Sequence, residues 1–117
     1  MATGTTLDKS FKFALRIVKL YQHLVDVRKE FVLSKFLLAA GTQIGARVES
    51  AQQAEDRFGF IREMSVALQK AAETKYWLKL LQAGEYLTQA EFDSIAADDD
   101  ELLALLTSIV KTSKGLK

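Results

Sequence analysis

Not one proline interrupts this chain of 117 residues. Proline removes a backbone donor and clashes with the preceding helical turn, so its absence lets helices run wherever the apolar period allows. Punctuation falls to glycine: Gly4, Gly84 and Gly115 stand where helix ends are expected, whereas Gly41 and Gly45 stand inside an apolar-periodic stretch.

The apolar spacing predicts four helices. The first, about residues 7–30, carries two rows at steps of three and four, namely Leu7, Phe11, Ala14, Val18, Tyr21 and Val25 beside Phe13, Ile17, Leu20, Leu24 and Val27. One stripe suffices for a bundle helix, and two make a face broad enough for more than one neighbour. The second helix, about 34–55, opens at Ser34 as N-cap and buries Leu37, Gly41, Ile44, Val48 and Ala51. Two glycines four apart each cost about 1 kcal/mol against alanine, a cost explained if another backbone approaches there; a local break at Gly41-Thr42 is the alternative. The third helix, about 57–83, repeats the pattern with Phe60, Met64, Ala67, Ala71, Thr74, Leu78 and Leu81, and Gly84 is expected just beyond it in the left-handed conformation. Thr88-Gln89-Ala90-Glu91 reads as a capping box that opens the fourth helix, about 88–114, with Phe92, Ile95, Asp99, Leu102, Leu106 and Ile109 on its stripe. Asp99 interrupts that stripe within Asp98-Asp99-Asp100, so this turn is expected to face solvent or a basic partner.

Short connections between rods of this length predict an all-α fold, an up-down-up-down antiparallel four-helix bundle, as a single domain over residues 1–117. The surplus apolar face of the first helix marks the bundle as the subunit of a homo-oligomer. Cysteine is absent, which removes disulfides, thiolate metal sites and cysteine nucleophiles. The start, Met1-Ala2-Thr3-Gly4-Thr5-Thr6, lacks the basic and apolar regions of a secretory signal, and no apolar run approaches a membrane span, so a soluble cytoplasmic protein is expected.

The stretch Leu37-Leu38-Ala39-Ala40-Gly41-Thr42-Gln43-Ile44-Gly45-Ala46-Arg47-Val48-Glu49-Ser50-Ala51, followed by Phe60-Ile61 and Ala71-Ala72-Glu73-Thr74-Lys75-Tyr76-Trp77-Leu78, resembles the small bacterial four helix bundle protein family. That family includes proteins encoded by intervening sequences within large-subunit ribosomal RNA genes, and the similarity runs from about Phe11 to Lys114. The resemblance implies a homopentamer, with the broad first-helix face as its interface. It also relates the chain to accessory proteins of the reverse transcriptases of diversity-generating retroelements, where a basic surface meets nucleic acid. Arg47, Ser50 and Lys70 stand where the family usually has asparagine, glutamate and glutamate, and Ala39 where an arginine is common, which argues against a family-specific polar site on the second helix.

Net charge is only +1, but residues 1–35 carry +4 and residues 85–117 carry −4. Lys9, Lys12, Arg16 and Lys19 form one ridge along the first helix, a candidate nucleic-acid surface of the sequence-independent, salt-sensitive kind, with RNA, DNA or a nucleic-acid enzyme as partner. Lys111, Lys114 and Lys117 could extend it, although lysines there also favour the helix dipole. The competing reading is a protein-binding module in which Asp98, Asp99, Asp100 or their neighbours occupy the ridge. Candidate oligomer contacts are Phe13, Ile17, Leu20, Leu24 and Trp77; for Trp77 and Tyr76, burial in a core or interface outweighs base stacking. His23 is the only histidine and has no second ligand at metal spacing, and no Glu-x-x-His pair exists, so neither metal nor cofactor is expected. Glu49, Glu55, Glu63 and Glu73 read as helix-surface ion-pair partners of Arg47, Arg57, Arg62 and Lys75 rather than as acid-base pairs. With no phosphate-binding loop, nucleophile elbow or zinc signature, an enzyme is not expected. The sequence reading is thus a non-enzymatic oligomeric scaffold or adaptor.

Overall fold

A computed structural model describes residues 4–115; Lys117 of the expected basic tail lies outside them. It contains four helices, α1 (Gly4–Asp26), α2 (Leu33–Gln52), α3 (Arg57–Ala83) and α4 (Gln89–Ser113), and no strand among the described residues. At 1.5 Å per residue they are rods of about 30–40 Å, and the molecule measures 44 × 25 × 20 Å. Each helix packs on its chain neighbour and α4 closes back on α1, the least closely packed of the four seams.

Cross-helix contacts fix the directions. Gly41 lies against Ile17 and Gly45 against Ser10; Phe36 meets Trp77 and Arg47 meets Glu63; Lys75 meets Asp100 and Arg57 meets Ser113; Lys9 meets Glu101 and Arg16 meets Asp98. In every pair one number rises as the other falls, so all adjacent helices are antiparallel.

The core is the set of stripes read from the sequence on α2 and α3, every member buried, with Ile95, Leu102, Leu106 and Val110 from α4. On α1 the row that enters it is Phe13, Ile17 and Leu24. These three were expected to face another subunit and instead complete their own bundle. The row through Phe11, Ala14 and Val18 lies half-buried to exposed. α2 is unbroken at Gly41-Thr42, and the two glycines do clear an approach: a Cβ on Gly41 would stand 2.7 Å from Ile17 Cγ1, and one on Gly45 3.3 Å from the Ser10 carbonyl oxygen.

The helix ends depart from expectation in several places, with α1 beginning at Gly4 rather than near residue 7 and α2 ending at Gln52 rather than near residue 55. α1 stops at Asp26, where the chain turns through Lys29 at φ 57° and the Glu30 N–H donates to the Leu24 carbonyl at 2.9 Å. Glu30, expected within α1, is buried at the start of α2, where its carboxylate accepts from the N–H groups of Val32 (3.2 Å), Leu33 (3.0 Å) and Ser34 (2.6 Å). Ser34 is therefore not the N-cap; its hydroxyl donates back to the Glu30 carbonyl, and the carboxylate four residues earlier satisfies the open N–H groups. After α3 the left-handed residue is Glu85 (φ 69°) and not Gly84 (φ −82°). The capping box at α4 is present with both bonds, Glu91 N–H to Thr88 Oγ1 at 3.1 Å and Thr88 N–H to Glu91 Oε1 at 2.8 Å.

Candidate functional site

The basic ridge of α1 lies along its seam with α4, and helix periodicity places acids opposite it. Lys9 Nζ meets Glu101 Oε2 at 2.8 Å, and Arg16 reaches Asp98 Oδ2 at 2.6 Å and donates to Ser94 Oγ at 2.9 Å. Lys12 pairs within its own helix with Asp8 at 3.0 Å. Lys19 is exposed with no ion pair among the described residues. The hydrogen bond and charge of Glu101 hold the Lys9 ammonium above its ordinary pKa. One turn on, Glu91 faces Arg28 at 3.2 Å and His23 Nε2 at 3.8 Å. The Thr88 N–H depresses its pKa most; burial opposes that, while the Thr88 hydroxyl, Arg28 and His23 add to it. Acids of the fourth helix, Asp98 and Glu101, thus occupy the ridge at Arg16 and Lys9, while Lys12 and Lys19 meet none of them. Between the two helices lies an open groove of about 510 Å³ that includes Lys19, Leu20, His23 and Ile95.

Of the acidic triplet only two members behave as expected. Asp100 meets Lys75 of α3. Asp99, expected to face solvent or a basic partner, is 0 % exposed, and neither carboxylate oxygen has a hydrogen-bond partner. Its place on the stripe between Ile95 and Leu102 turns it inward regardless of charge.

A second surface has an apolar character. Where the α1–α2 turn meets the end of α3, Phe36 stacks on Trp77 with ring centroids 4.9 Å apart and planes 16° from parallel, and Tyr76 meets Trp77 edge-on at 5.1 Å. Trp77 packs partly into the core, while Phe31, Val32, Phe36 and Tyr76 each leave half or more of their surface outside. Lys29, Lys35 and Lys79, beside these residues in the chain, are exposed and form no ion pair among the described residues. Of the interface candidates, Trp77 alone belongs to this surface; Leu20 is half-buried against the core. The aromatic residues Phe31 and Phe36 were missed because they flank a turn, where no period marks them as a face. A third surface runs along α1 and α2, where Phe11 and Leu15 stand exposed beside a cleft of about 300 Å³ floored by Ala14, Thr42, Gly45 and Ala46.

A cavity of about 580 Å³ lies at the α2–α3 turn. Two of its polar side chains already have structural partners: Asp56 caps α3 by accepting from the Gly59 N–H at 2.8 Å, and Arg57 Nε donates to the Ser113 carbonyl at 2.6 Å. Of the four glutamates weighed for acid-base work, Glu63 pairs across helices with Arg47 and Glu73 pairs with Lys70, while Glu49 and Glu55 form no ion pair among the described residues. No group of three or more metal-ligating side chains occurs among the described residues, and no helix is long and apolar enough to cross a membrane.

The model of the 23S rRNA-intervening sequence protein family matches residues 5–108. The chain belongs to that family. A crystal structure from Bacteroides thetaiotaomicron, described as a protein of unknown function from the S23 ribosomal protein family, is 48% identical and superposes with a TM-score of 0.93 over 95% of this chain and 99% of its own. No curated protein matches the sequence. Family membership and the shared fold therefore extend over nearly the whole described bundle.

Proposed function

We propose that this family member is a non-enzymatic scaffold or adaptor that works as a homo-oligomer, joining copies through its exposed aromatic surface. The observation that carries this reading is the Phe36–Trp77 stack with Tyr76 edge-on to it, preceded in the chain by the exposed Phe31 and Val32. Large rings left in water at one contiguous place are costly to maintain on a monomer, and they are the residue types that anchor protein interfaces. The occupant we assign is a second copy of the chain. The Phe11–Leu15 face gives each subunit a second, unlike apolar surface, which suits a head-to-tail contact, and such contacts close into rings when the rotation permits. The sequence resemblance to pentameric relatives points the same way.

A nucleic-acid role for the ridge is the second reading, supported by Lys12, whose side chain is 73% exposed, and by the unpaired Lys19. The protein-contact reading is preferred because Lys9 and Arg16 are already neutralised by α4 within the subunit.

Light scattering tests the proposal. The native chain should give a mass several times the 13.1 kDa of one subunit, with five copies expected. Phe36→Ser combined with Tyr76→Ser should reduce that mass while leaving the helical circular dichroism intact. A native chain that is monomeric at micromolar concentration overturns the proposal, and a variant of unchanged mass removes the aromatic surface from it.

A further inference from the structure

Among the described residues Asp99 is the one ionisable side chain at full burial in the core, set on α4 between Ile95 and Leu102 with both oxygens unpartnered. Such a group is tolerated in an apolar interior when it is neutral and becomes costly when it ionises. The charges around it are committed elsewhere. From α3, Lys75 is held by Asp100; from α1, Lys9 is held by Glu101, Arg16 by Asp98 and Lys12 by Asp8; on α4 itself Asp98, Asp100 and Glu101 are the other halves of those pairs. Farther along the same seam His23 and Arg28 face Glu91, and α2 does not pack against α4. None of these paired cations can therefore neutralise Asp99 without breaking an existing pair.

We propose that Asp99 makes the bundle proton-sensitive: with its carboxyl protonated α4 stays seated in the core, and loss of that proton loosens α4 along its seam with α1. That seam yields first because it is the least closely packed and is bridged by ion pairs between partly exposed side chains. Burial pushes the Asp99 carboxyl up to about 7, against the pull of Lys75 and with a further push from Asp100. Between the ordinary carboxylate value of 3.8 and about 7 the folded chain therefore keeps a proton that the unfolded chain has released. Folding stability falls across that window as pH rises, by up to about tenfold in the folding equilibrium constant per pH unit, and levels off above it.

The test is thermal unfolding of the full chain from about pH 5 to about pH 8.5, beside Asp99→Asn and Asp99→Leu, all in a His23→Gln background that removes the one imidazole from the titration. The parent midpoint should fall with pH, and both variants should lose that fall. Intrinsic-rate-corrected amide exchange should quicken at high pH in α4 and α1 more than in α2 and α3. A parent midpoint independent of pH, or an Asp99→Asn curve parallel to the parent, overturns the proposal. So does exchange that quickens equally in all four helices. Should neither variant fold, infrared spectra of the wild-type chain at about pH 6 decide: a protonated carboxyl band upholds the idea and its absence refutes it.

Discussion

Two buried carboxylates show how the same side-chain chemistry is turned in opposite directions by its surroundings. Burial pushes both pKa values upward, but Glu30 receives three backbone N–H bonds and lies close to the Ser34 hydroxyl, which together hold its carboxylate below the ordinary value of 4.5, whereas Asp99 receives none and rises. Glu30 thus acts as a cap supplied from outside the helix it caps. Glu30→Ala should cost about 1–2 kcal/mol in urea unfolding at neutral pH, the range for removal of a helix cap. The pH dependence carries the opposite sign to that of Asp99. A depressed pKa stabilises the fold above the unfolded value and loses that contribution as pH falls through the folded value. The stability gap between the parent and Glu30→Ala should therefore narrow on acidification below about pH 4.5; a gap that stays constant assigns the cost to lost packing rather than to the charged cap.

At the scale of the helices, α1 and α2 are joined by a close approach that only glycine permits. A methyl group on Gly41 would sit inside contact distance of Ile17, which is itself fully buried. Gly41→Ala should gain about 1 kcal/mol in helix propensity yet lose about 1–3 kcal/mol to overpacking, so a net loss in urea midpoint is expected. A stabilised variant would mean that Ile17 re-seats freely. This approach was legible in the sequence as two glycines four apart within an apolar stripe, and the stripes of α2 and α3 were legible residue for residue. Which of the two rows on α1 enters the core was not, because that choice depends on where α2 and α4 stand around it, a tertiary fact that no spacing within α1 contains. Asp99 teaches the converse: its position on the stripe pointed inward and its charge argued outward, and the period prevailed because four core residues of α4, Ile95, Leu102, Leu106 and Val110, fix the rotation of the helix. Cap identity was the least legible, since Ser34 and Gly84 have the right chemistry but Glu30 and Glu85 occupy the deciding geometry.

For the whole molecule, the uneven charge of the sequence resolves into a subunit that neutralises itself. The basic first third and the acidic last third are folded against each other along α1 and α4, so the field that a ridge of four cations could project into solvent is already cancelled at Lys9 and Arg16. The proposed assembly into a ring would repeat this pattern without restoring the cancelled charge; the exposed cations it would repeat without an ion pair among the described residues include Lys19, Lys29, Lys35 and Lys79. Phosphate binding that relies on a few lysines releases few counterions and so has a shallow salt dependence. Mobility-shift titrations against single- and double-stranded RNA and DNA should accordingly show no tight complex at moderate salt. Lys12→Glu with Lys19→Glu, which leaves the Arg16–Asp98 and Lys9–Glu101 pairs in place, should change little. A complex at low salt that weakens steeply as salt is added and is abolished by that double reversal would return the ridge to the centre of the protein's function, because only cations facing solvent on α1 could then supply the contact.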